Sequence, residues 1–430
     1  TAAVATTSGI ILDAASVNLT GAASLKTQGT GGNADITLAS VNGAQNLTLE
    51  TNGVSGSVIT LTSVGQTNTL STVTVTNSNN VSAGPFSAAK VVLTDTTGTI
   101  AFAGTTVITT SLTTAAKGYN VTFAGTTSIA GAPVFLNTGN VTFGGTTVLS
   151  SGATITGGTA TAVSLAGTIV SSGAFNIGAS PATTTITTGT NLSLNSATAA
   201  STFAGKVVLA SGDNLNLLGV GTLTLSGDSS TTGVVGNISV LNGTLNVTGQ
   251  IGAASLSTAT NGTISGAGGT IGALTVNTGT VAPGGTLKTA AVTMNAATNY
   301  SAAVLTATTA SNLETAAAIN LGGSVLSLSS VAAGLAVGNT FTIINNTHAS
   351  NAITGTFANQ AEGSSISAKD TAGNTVSFTV SYKGGTNAND VTLKVASITS
   401  STPAPTAPAQ PMVAGQPALN KFTAVGADAG

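Results

Sequence analysis

Short stretches of alternating apolar and polar residues, separated by small-residue turns, make up most of the chain. The pattern is clearest in three copies, IAFAGTT at Ile100–Thr106, VTFAGTT at Val121–Thr127 and VTFGGTT at Val141–Thr147. Alternation places every second side chain on one face of a strand, and its period does not suit a helix. The chain is therefore predicted to be all-β.

These strands recur at a regular interval along the chain. Phe102, Phe123 and Phe143 follow one another in nearly equal steps, and a weaker copy, TFAGK, places Phe203 three such steps further along. A unit of this size cannot bury its apolar face alone and stacks on copies of itself. We predict a right-handed parallel β-helix, that is, a β-solenoid with coils of about 20 residues. Its phenylalanine rings are expected to stack along the axis.

The N-terminal region follows the same alternation without aromatic residues before Phe86. Ile36 and Leu38, and then Leu47 and Leu49, are predicted to point inward, with Thr residues opposite. This end of the solenoid is therefore expected to have a purely aliphatic core.

The pattern changes at Gly279, where the strands become longer and Phe341, Phe357, Phe378 and Tyr382 cluster. Because the end of a solenoid exposes an unpaired edge, this segment is predicted to cap it. The stretch SNLETAAAINL at 311–321 also suits a short helix by composition; we favour strand because Gly-Gly follows it and strands flank it.

The predicted organisation has four parts. Residues 1–278 form the parallel β-solenoid, and residues 279–397 form the β-rich cap. Residues 398–420 form a Pro-rich linker, since the stretch from Ser400 to Pro417 holds five of the nine prolines and such runs are extended. Residues 421–430 are expected to begin a further domain or to form a disordered tail.

Charge is scarce, and this excludes some classes of function. Charged residues make up 5% of the chain, with nine Lys, no Arg and a net charge of −2. A nucleic-acid binder needs a dense row of cations, so nucleic acid is excluded as a partner. Polar residues interrupt every apolar run well before about 18 residues, so no membrane-spanning helix is predicted.

The absence of Cys excludes disulfides, zinc–thiolate sites and thiol catalysis. It suits export through an oxidising compartment, where stray thiols would mispair. No apolar leader precedes Thr1, so any targeting signal is expected to lie outside this sequence.

A polysaccharide-cleaving enzyme is an alternative, because lyases and glycosidases also use parallel β-helices. Such enzymes need carboxylates held close together on one face. Asp35 and Glu50 are separated by clearly less than one predicted coil, as are Asp213 and Asp228, so neither pair fits the stack. Asp13 and Asp35, separated by nearly one coil, form the best pair. We predict no catalytic residues, no cofactor and no enzymatic activity.

Metal binding has little support from the sequence. His348 is the only imidazole, and without Cys or a second His it is expected to be an exposed turn residue. Asn387, Asn389 and Asp390 in GGTNAND offer oxygen ligands for weak calcium binding. Asn and Asp residues in a hairpin turn explain the phrase equally well, so no metal site is predicted.

One segment, Gly279–Val395, resembles the C-terminal part of bacterial autotransporter adhesin passengers and the related autotransporter-associated β-strand repeat proteins. The phrase GTVAPGG at Gly279–Gly285 carries this resemblance, followed by FTIINNT at Phe341–Thr347 and VSYKGGTNANDVTL at Val380–Leu393. The resemblance implies a β-helical protein exposed on the bacterial cell surface or secreted from it.

Three functions follow in order of preference. The first is a non-enzymatic extracellular stalk, an adhesin-like protein that displays a surface for a glycan or another cell-surface ligand. The second is a structural subunit that associates with itself into an extracellular filament or surface layer, since a nearly uncharged surface permits this. The third is a β-helical polysaccharide-processing enzyme.

Overall fold

The structure is a computed structural model of the 430-residue chain. It describes residues 2–12, 16–29, 34–51, 56–156, 162–178, 183–186, 189–229, 236–251, 255–259, 261–350 and 352–401. Within these ranges every regular element is a β-strand, so the prediction of an all-β protein is confirmed.

Most of the strands are short. In chain order they are β1 (Ala2–Thr6), β2 (Ile10–Leu12), β3 (Val17–Asn18), β4 (Ala23–Thr27), β5 (Ile36–Asn42), β6 (Asn46–Glu50), β7 (Val58–Val64), β8 (Leu70–Asn77), β9 (Asn80–Ala83), β10 (Phe86–Leu93), β11 (Thr99–Phe102), β12 (Thr106–Thr114), β13 (Asn120–Phe123), β14 (Thr127–Ile129), β15 (Val134–Phe135), β16 (Val141–Phe143), β17 (Thr147–Leu149), β18 (Ala153–Ile155), β19 (Ala162–Leu165), β20 (Thr168–Ser171), β21 (Phe175–Ile177), β22 (Thr183–Ile186), β23 (Thr190–Leu194), β24 (Ser201–Phe203), β25 (Lys206–Leu209), β26 (Asn214–Leu218), β27 (Thr222–Leu225), β28 (Asn237–Val240), β29 (Thr244–Val247), β30 (Ser255–Thr258), β31 (Thr263–Gly266), β32 (Leu274–Val276), β33 (Gly279–Pro283), β34 (Thr286–Lys288), β35 (Val292–Met294), β36 (Thr298–Val304), β37 (Asn312–Thr315), β38 (Ile319–Asn320), β39 (Val325–Val331), β40 (Thr340–Asn346), β41 (Ser365–Lys369), β42 (Thr375–Gly384) and β43 (Asp390–Thr399).

The strands stack in parallel on three faces, which confirms the predicted β-solenoid. Face A contains β9, β11, β13, β16, β19, β22 and β25. Face B contains β14, β17, β20, β23, β26, β28, β30, β32, β35 and β38. Face C runs from β1 to β39 through β4, β6, β8, β10, β12, β15, β18, β21, β24, β27, β29, β31, β33 and β36.

The interior is a continuous apolar column. Ile36 and Leu38 lie beneath Ile59 and Leu61 of the next coil, and all four side chains are buried. Leu47 and Leu49, also predicted to point inward, are buried as well. The alternation in the sequence therefore places apolar side chains inside because each coil buries those of its neighbours.

The aromatic stack of the middle region is also confirmed for its three strongest copies. The rings of Phe102 and Phe123 are stacked with centroids 5.0 Å apart, and those of Phe123 and Phe143 with centroids 5.5 Å apart. Their strands β11, β13 and β16 pair in register on face A.

The prediction that Phe203 continues this stack of rings is wrong. Phe203 lies on face C at the end of β24, paired with Ile177, and its ring packs at right angles against that of Phe175. On face A the position after Phe143 is held by Leu165. Variable coil lengths shift the register, so a separation of three nominal coils brings Phe203 to a different face.

The C-terminal cap is a six-stranded sheet in the order β34, β37, β40, β43, β42, β41. Its first three strands are parallel, and bridges at Asp228, Gln250 and Thr270 lead to Lys288 of β34 along face A. From β40 onward the pairing is antiparallel. The cap therefore continues one face of the solenoid and reverses strand direction to end it.

Parallel stacking continues past residue 278, the predicted end of the solenoid, because Gly279–Pro283 pairs with the coils on both sides. Residues 311–321, for which the sequence analysis favours strand over helix, contain strands β37 and β38. Residues 402–430, which include most of the predicted linker and all of the predicted tail, lie outside the described residues.

Candidate functional site

The outer surface of the cap carries a row of hydroxyl groups because its strands alternate strictly. On β42, Val376, Phe378 and Val380 are buried in the core, which turns Thr379 and Ser381 outward. Both outward side chains are partly exposed.

The register of three strands gathers these residues into two lines. Lys394 of β43 lies between Thr340 of β40 and Thr379 of β42. Thr392 lies in the same way between Thr342 and Ser381. A cation is thus surrounded by short hydroxyl side chains on adjacent strands.

A loop turns these two lines into a groove. The loop before β40 is fixed to β43 by two backbone hydrogen bonds, from Gly338 N to Val395 O and from Val395 N to Asn339 O, both 2.8 Å. Val337 projects from this loop with 65% of its surface exposed. The resulting groove has a volume of about 570 Å³, within the range of small-ligand sites.

A second depression of about 350 Å³ continues the groove across β40 toward β37 and β34. Thr340 lines both. The far end is lined by Thr286 and Asn312, which are joined by a hydrogen bond of 3.2 Å from Asn312 Nδ2 to Thr286 Oγ1. The two depressions form one surface, which we call the cap groove.

The cap groove has a positive charge at Lys394 and a negative charge, Glu362, next to Ser381. In the described part of the chain, the ion pairs within 4.0 Å are Lys26–Glu50, Lys117–Asp95 and Lys288–Glu314, so Lys394 has no carboxylate at that distance. Beyond Ser381, Glu362 accepts hydrogen bonds from Tyr382 N at 2.7 Å and Ser381 Oγ at 2.8 Å. The Tyr382 bond, followed by the Ser381 bond, lowers the pKa of Glu362, so this carboxylate is ionised at neutral pH.

The residues considered for calcium do not converge on one point. Asp390 is buried, and its Oδ1 accepts the backbone N–H of Asn346 at 2.9 Å. Asn389 Nδ2 donates to the carbonyl of His348 at 2.6 Å, whereas Asn387 is exposed in the turn. Asn389 and Asp390 thus bind the strand-end segment 346–348. Burial raises the pKa of the Asp390 carboxyl.

The carboxylates weighed for catalysis are likewise dispersed. Asp35 Oδ1 accepts the backbone N–H of Val58 at 2.8 Å, while its proposed partner Asp13 lies outside the described residues. Glu50 forms an ion pair with Lys26 at 2.5 Å on face C. Asp228 lies on the face A line, whereas Asp213 precedes β26 of face B.

His348 lies in the loop after β40, and it is less exposed than the sequence predicts. Its Nδ1 is 3.1 Å from the backbone N of Ser350, and the residue is partly buried. Within the described ranges no three His, Cys, Asp or Glu side chains form a cluster that could hold a metal ion.

Sequence reasoning missed the cap groove. The alternating phrase VSFTVSY at Val376–Tyr382 carries a signal for it, since every polar position has a hydroxyl. The sequence does not reveal that Lys394 lies beside Thr340, because the two residues are far apart in the chain.

Among the described residues, no helix is present that is long and apolar enough to cross a bilayer. No protein-family model, no curated protein and no solved structure matches this chain.

Proposed function

We propose that this chain is a non-enzymatic stalk that acts outside the bacterial cell and holds a ligand-binding surface away from the envelope. The observation that carries the proposal is the uninterrupted parallel stack of face C from β1 to β39. Fifteen successive pairings join these strands. At about 4.8 Å each they extend roughly 70 Å.

Two features support a mechanical role over a chemical one. The core is shared by every coil, so bending the stack would separate packed side chains throughout its length. Two described carboxylates of the stack, Asp35 and Glu50, bind neighbouring backbone and lysine. The resemblance of Gly279–Val395 to autotransporter passengers supports the surface location.

A second candidate is a subunit that polymerises through strand edges. One observation favours it: β41 is the outer strand of the cap sheet, and outer strands are templates for pairing with another chain. Lys369 at the end of β41 is exposed and places a charge on this edge, which disfavours such pairing.

The experiment that separates the two is electron microscopy of residues 1–430, with light scattering across a concentration series. Separate rods of constant mass are expected for a stalk. Fibres or sheets with one axial repeat would overturn the stalk and favour the subunit.

A further inference from the structure

We propose that the cap groove binds a carboxylate-bearing oligosaccharide, with Lys394 receiving the carboxylate. This inference rests on the proposed display function, because it names the ligand of the displayed surface. The charge, the hydrogen-bonding groups and the length of the groove support it.

Charge complementarity identifies the acidic group of the ligand. Lys394 is exposed on the groove floor, and no carboxylate of the described chain lies within 4.0 Å of it. An ammonium group forms strong, charge-assisted hydrogen bonds with carboxylates. The groove therefore favours a ligand that brings one anionic group to this position.

The surroundings of Lys394 identify the rest of the ligand. Thr340 and Thr379 flank the lysine, and each hydroxyl can both donate and accept a hydrogen bond. Sugar hydroxyls have the same double capacity. The exposed side chain of Val337 on the groove wall offers an apolar contact for the C–H face of a sugar ring.

The extent of the groove favours a chain of sugars over a small anion. The groove crosses five neighbouring strands, from β42 through β43, β40 and β37 to β34. Four strand spacings of about 4.8 Å give roughly 19 Å. Its far end, at Thr286 and Asn312, is lined by uncharged polar side chains and suits the neutral parts of such a chain.

A phosphate polymer fits less well. Polyanions are bound by several cations acting together, whereas the groove offers Lys394 alone. Glu362, ionised next to Ser381, would repel a second anionic group at that end.

The test is isothermal titration calorimetry of the full 430-residue chain with 3′-sialyllactose, a trisaccharide that carries one carboxylate. Neutral maltotriose tests the need for the carboxylate, and acetate and inorganic phosphate test whether a small anion suffices. We expect 3′-sialyllactose to bind at least tenfold more tightly than each of the other three. Added NaCl should weaken its binding, because the contact at Lys394 is ionic.

Two variants locate the site. Lys394→Gln should weaken 3′-sialyllactose binding by about ten- to a hundredfold, the range for one hydrogen bond between charged groups. Thr379→Val should weaken it by about three- to tenfold. Lys206→Gln is the matched control, since Lys206 also projects from a strand, β25, but lies on face A of the solenoid; its binding should equal that of the wild type.

Three results would overturn the proposal: no binding of 3′-sialyllactose, equal binding by the Lys394→Gln variant, or equal binding of maltotriose, phosphate or acetate. Microscopy of the same sample keeps this failure separate from failure of the stalk. Separate rods that bind no 3′-sialyllactose would refute the groove alone, whereas fibres would refute the stalk.

Discussion

The solenoid and its cap solve the same problem, the burial of short strands, with different contacts. In the solenoid a ladder of asparagines joins successive coils: Asn120 Oδ1 accepts from Asn140 N at 2.8 Å, and Asn140 Oδ1 accepts from Ala162 N at 2.9 Å. Where the stack meets the cap, Tyr300 Oη donates at 2.5 Å to Ile343 O, which is distant in the chain. The stack is thus stabilised by contacts that repeat from coil to coil, and its junction with the cap by individual contacts that do not repeat.

The cap also differs from the stack in its expected response to pH. Three carboxylates of the cap, Glu362, Asp370 and Asp390, have pKa values that their surroundings shift from the ordinary range. The cap is therefore expected to respond to pH, and the stack to changes in packing.

The largest expected effect is loss of an aromatic ring from the stack. Phe123 is fully buried, with Phe102 stacked on one side and Phe143 on the other. Phe123→Ala should lower the free energy of unfolding by about 3–5 kcal/mol, measured by urea denaturation.

Thr122→Ala is the control for this change, since Thr122 is the adjacent, outward-facing residue of β13. It should change the free energy of unfolding by less than about 0.5 kcal/mol. Equal effects of the two substitutions would contradict the assignment of an inner and an outer face.

A smaller loss is expected where the stack meets the cap. Tyr300→Phe removes the hydroxyl that satisfies the buried carbonyl of Ile343, and should lower the free energy of unfolding by about 1–3 kcal/mol. Tyr382→Phe removes two hydrogen bonds at a partly exposed position, one donated to Gln360 O at 2.7 Å and one accepted from Phe357 N at 2.9 Å. Because water can replace both bonds there, the effect should be smaller; the reverse order in urea denaturation would contradict this account of the junction.

The pH response should be centred on the turn between β41 and β42. Asp370 accepts hydrogen bonds from Asn374 Nδ2 at 2.9 Å, from Asn374 N at 2.8 Å and from Ala372 N at 2.9 Å. The Asn374 side-chain bond, and then the backbone bonds, lower the pKa of Asp370. Its stabilisation is present above the ordinary Asp pKa and is lost as the pH falls through the lowered folded value.

Hydrogen exchange with mass spectrometry should therefore show that protection of residues 365–380, corrected for intrinsic rates, decreases in acid. Asp370→Asn should reduce this dependence. Asp390 acts in the opposite direction: its pKa is raised by burial, so its contribution is present below the ordinary Asp pKa and is lost as the pH rises through the folded value. Unchanged protection of the turn in acid would contradict the role of Asp370.

The smallest effect is expected at the ion pair of the first coils. Lys26 Nζ lies 2.5 Å from Glu50 Oε1 on neighbouring strands of face C, with about a third of the lysine side chain exposed. Lys26→Gln should lower the free energy of unfolding by about 0.2–1 kcal/mol, and less in high salt. A loss as large as that of Phe123→Ala would show that charge contributes as much as packing.

The sequence predicts the stack well because its information is local. The alternation around Phe102, Phe123 and Phe143 determines both which side chains are buried and which coils are neighbours. Phe203 shows where this local information fails. The coils between Phe143 and Phe203 differ in length, and only the pairing of whole strands shows that Phe203 lies on face C.

The cap groove could not be predicted for a related reason. Its central neighbours, Thr340 and Lys394, meet across an antiparallel pair, and many alternative pairings of β40, β42 and β43 would satisfy the same alternation. Register between distant strands is set by the turns and the packed core together, so the placement of Lys394 requires the structure.

The most direct test of the account is small-angle X-ray scattering of residues 1–430 over a concentration series. The account predicts an elongated particle, with a stack of about 70 Å extended by the cap, whose length and forward-scattering mass do not change with concentration. A compact particle would contradict the continuous solenoid, and a length that grows with concentration would contradict the separate, ligand-displaying stalk.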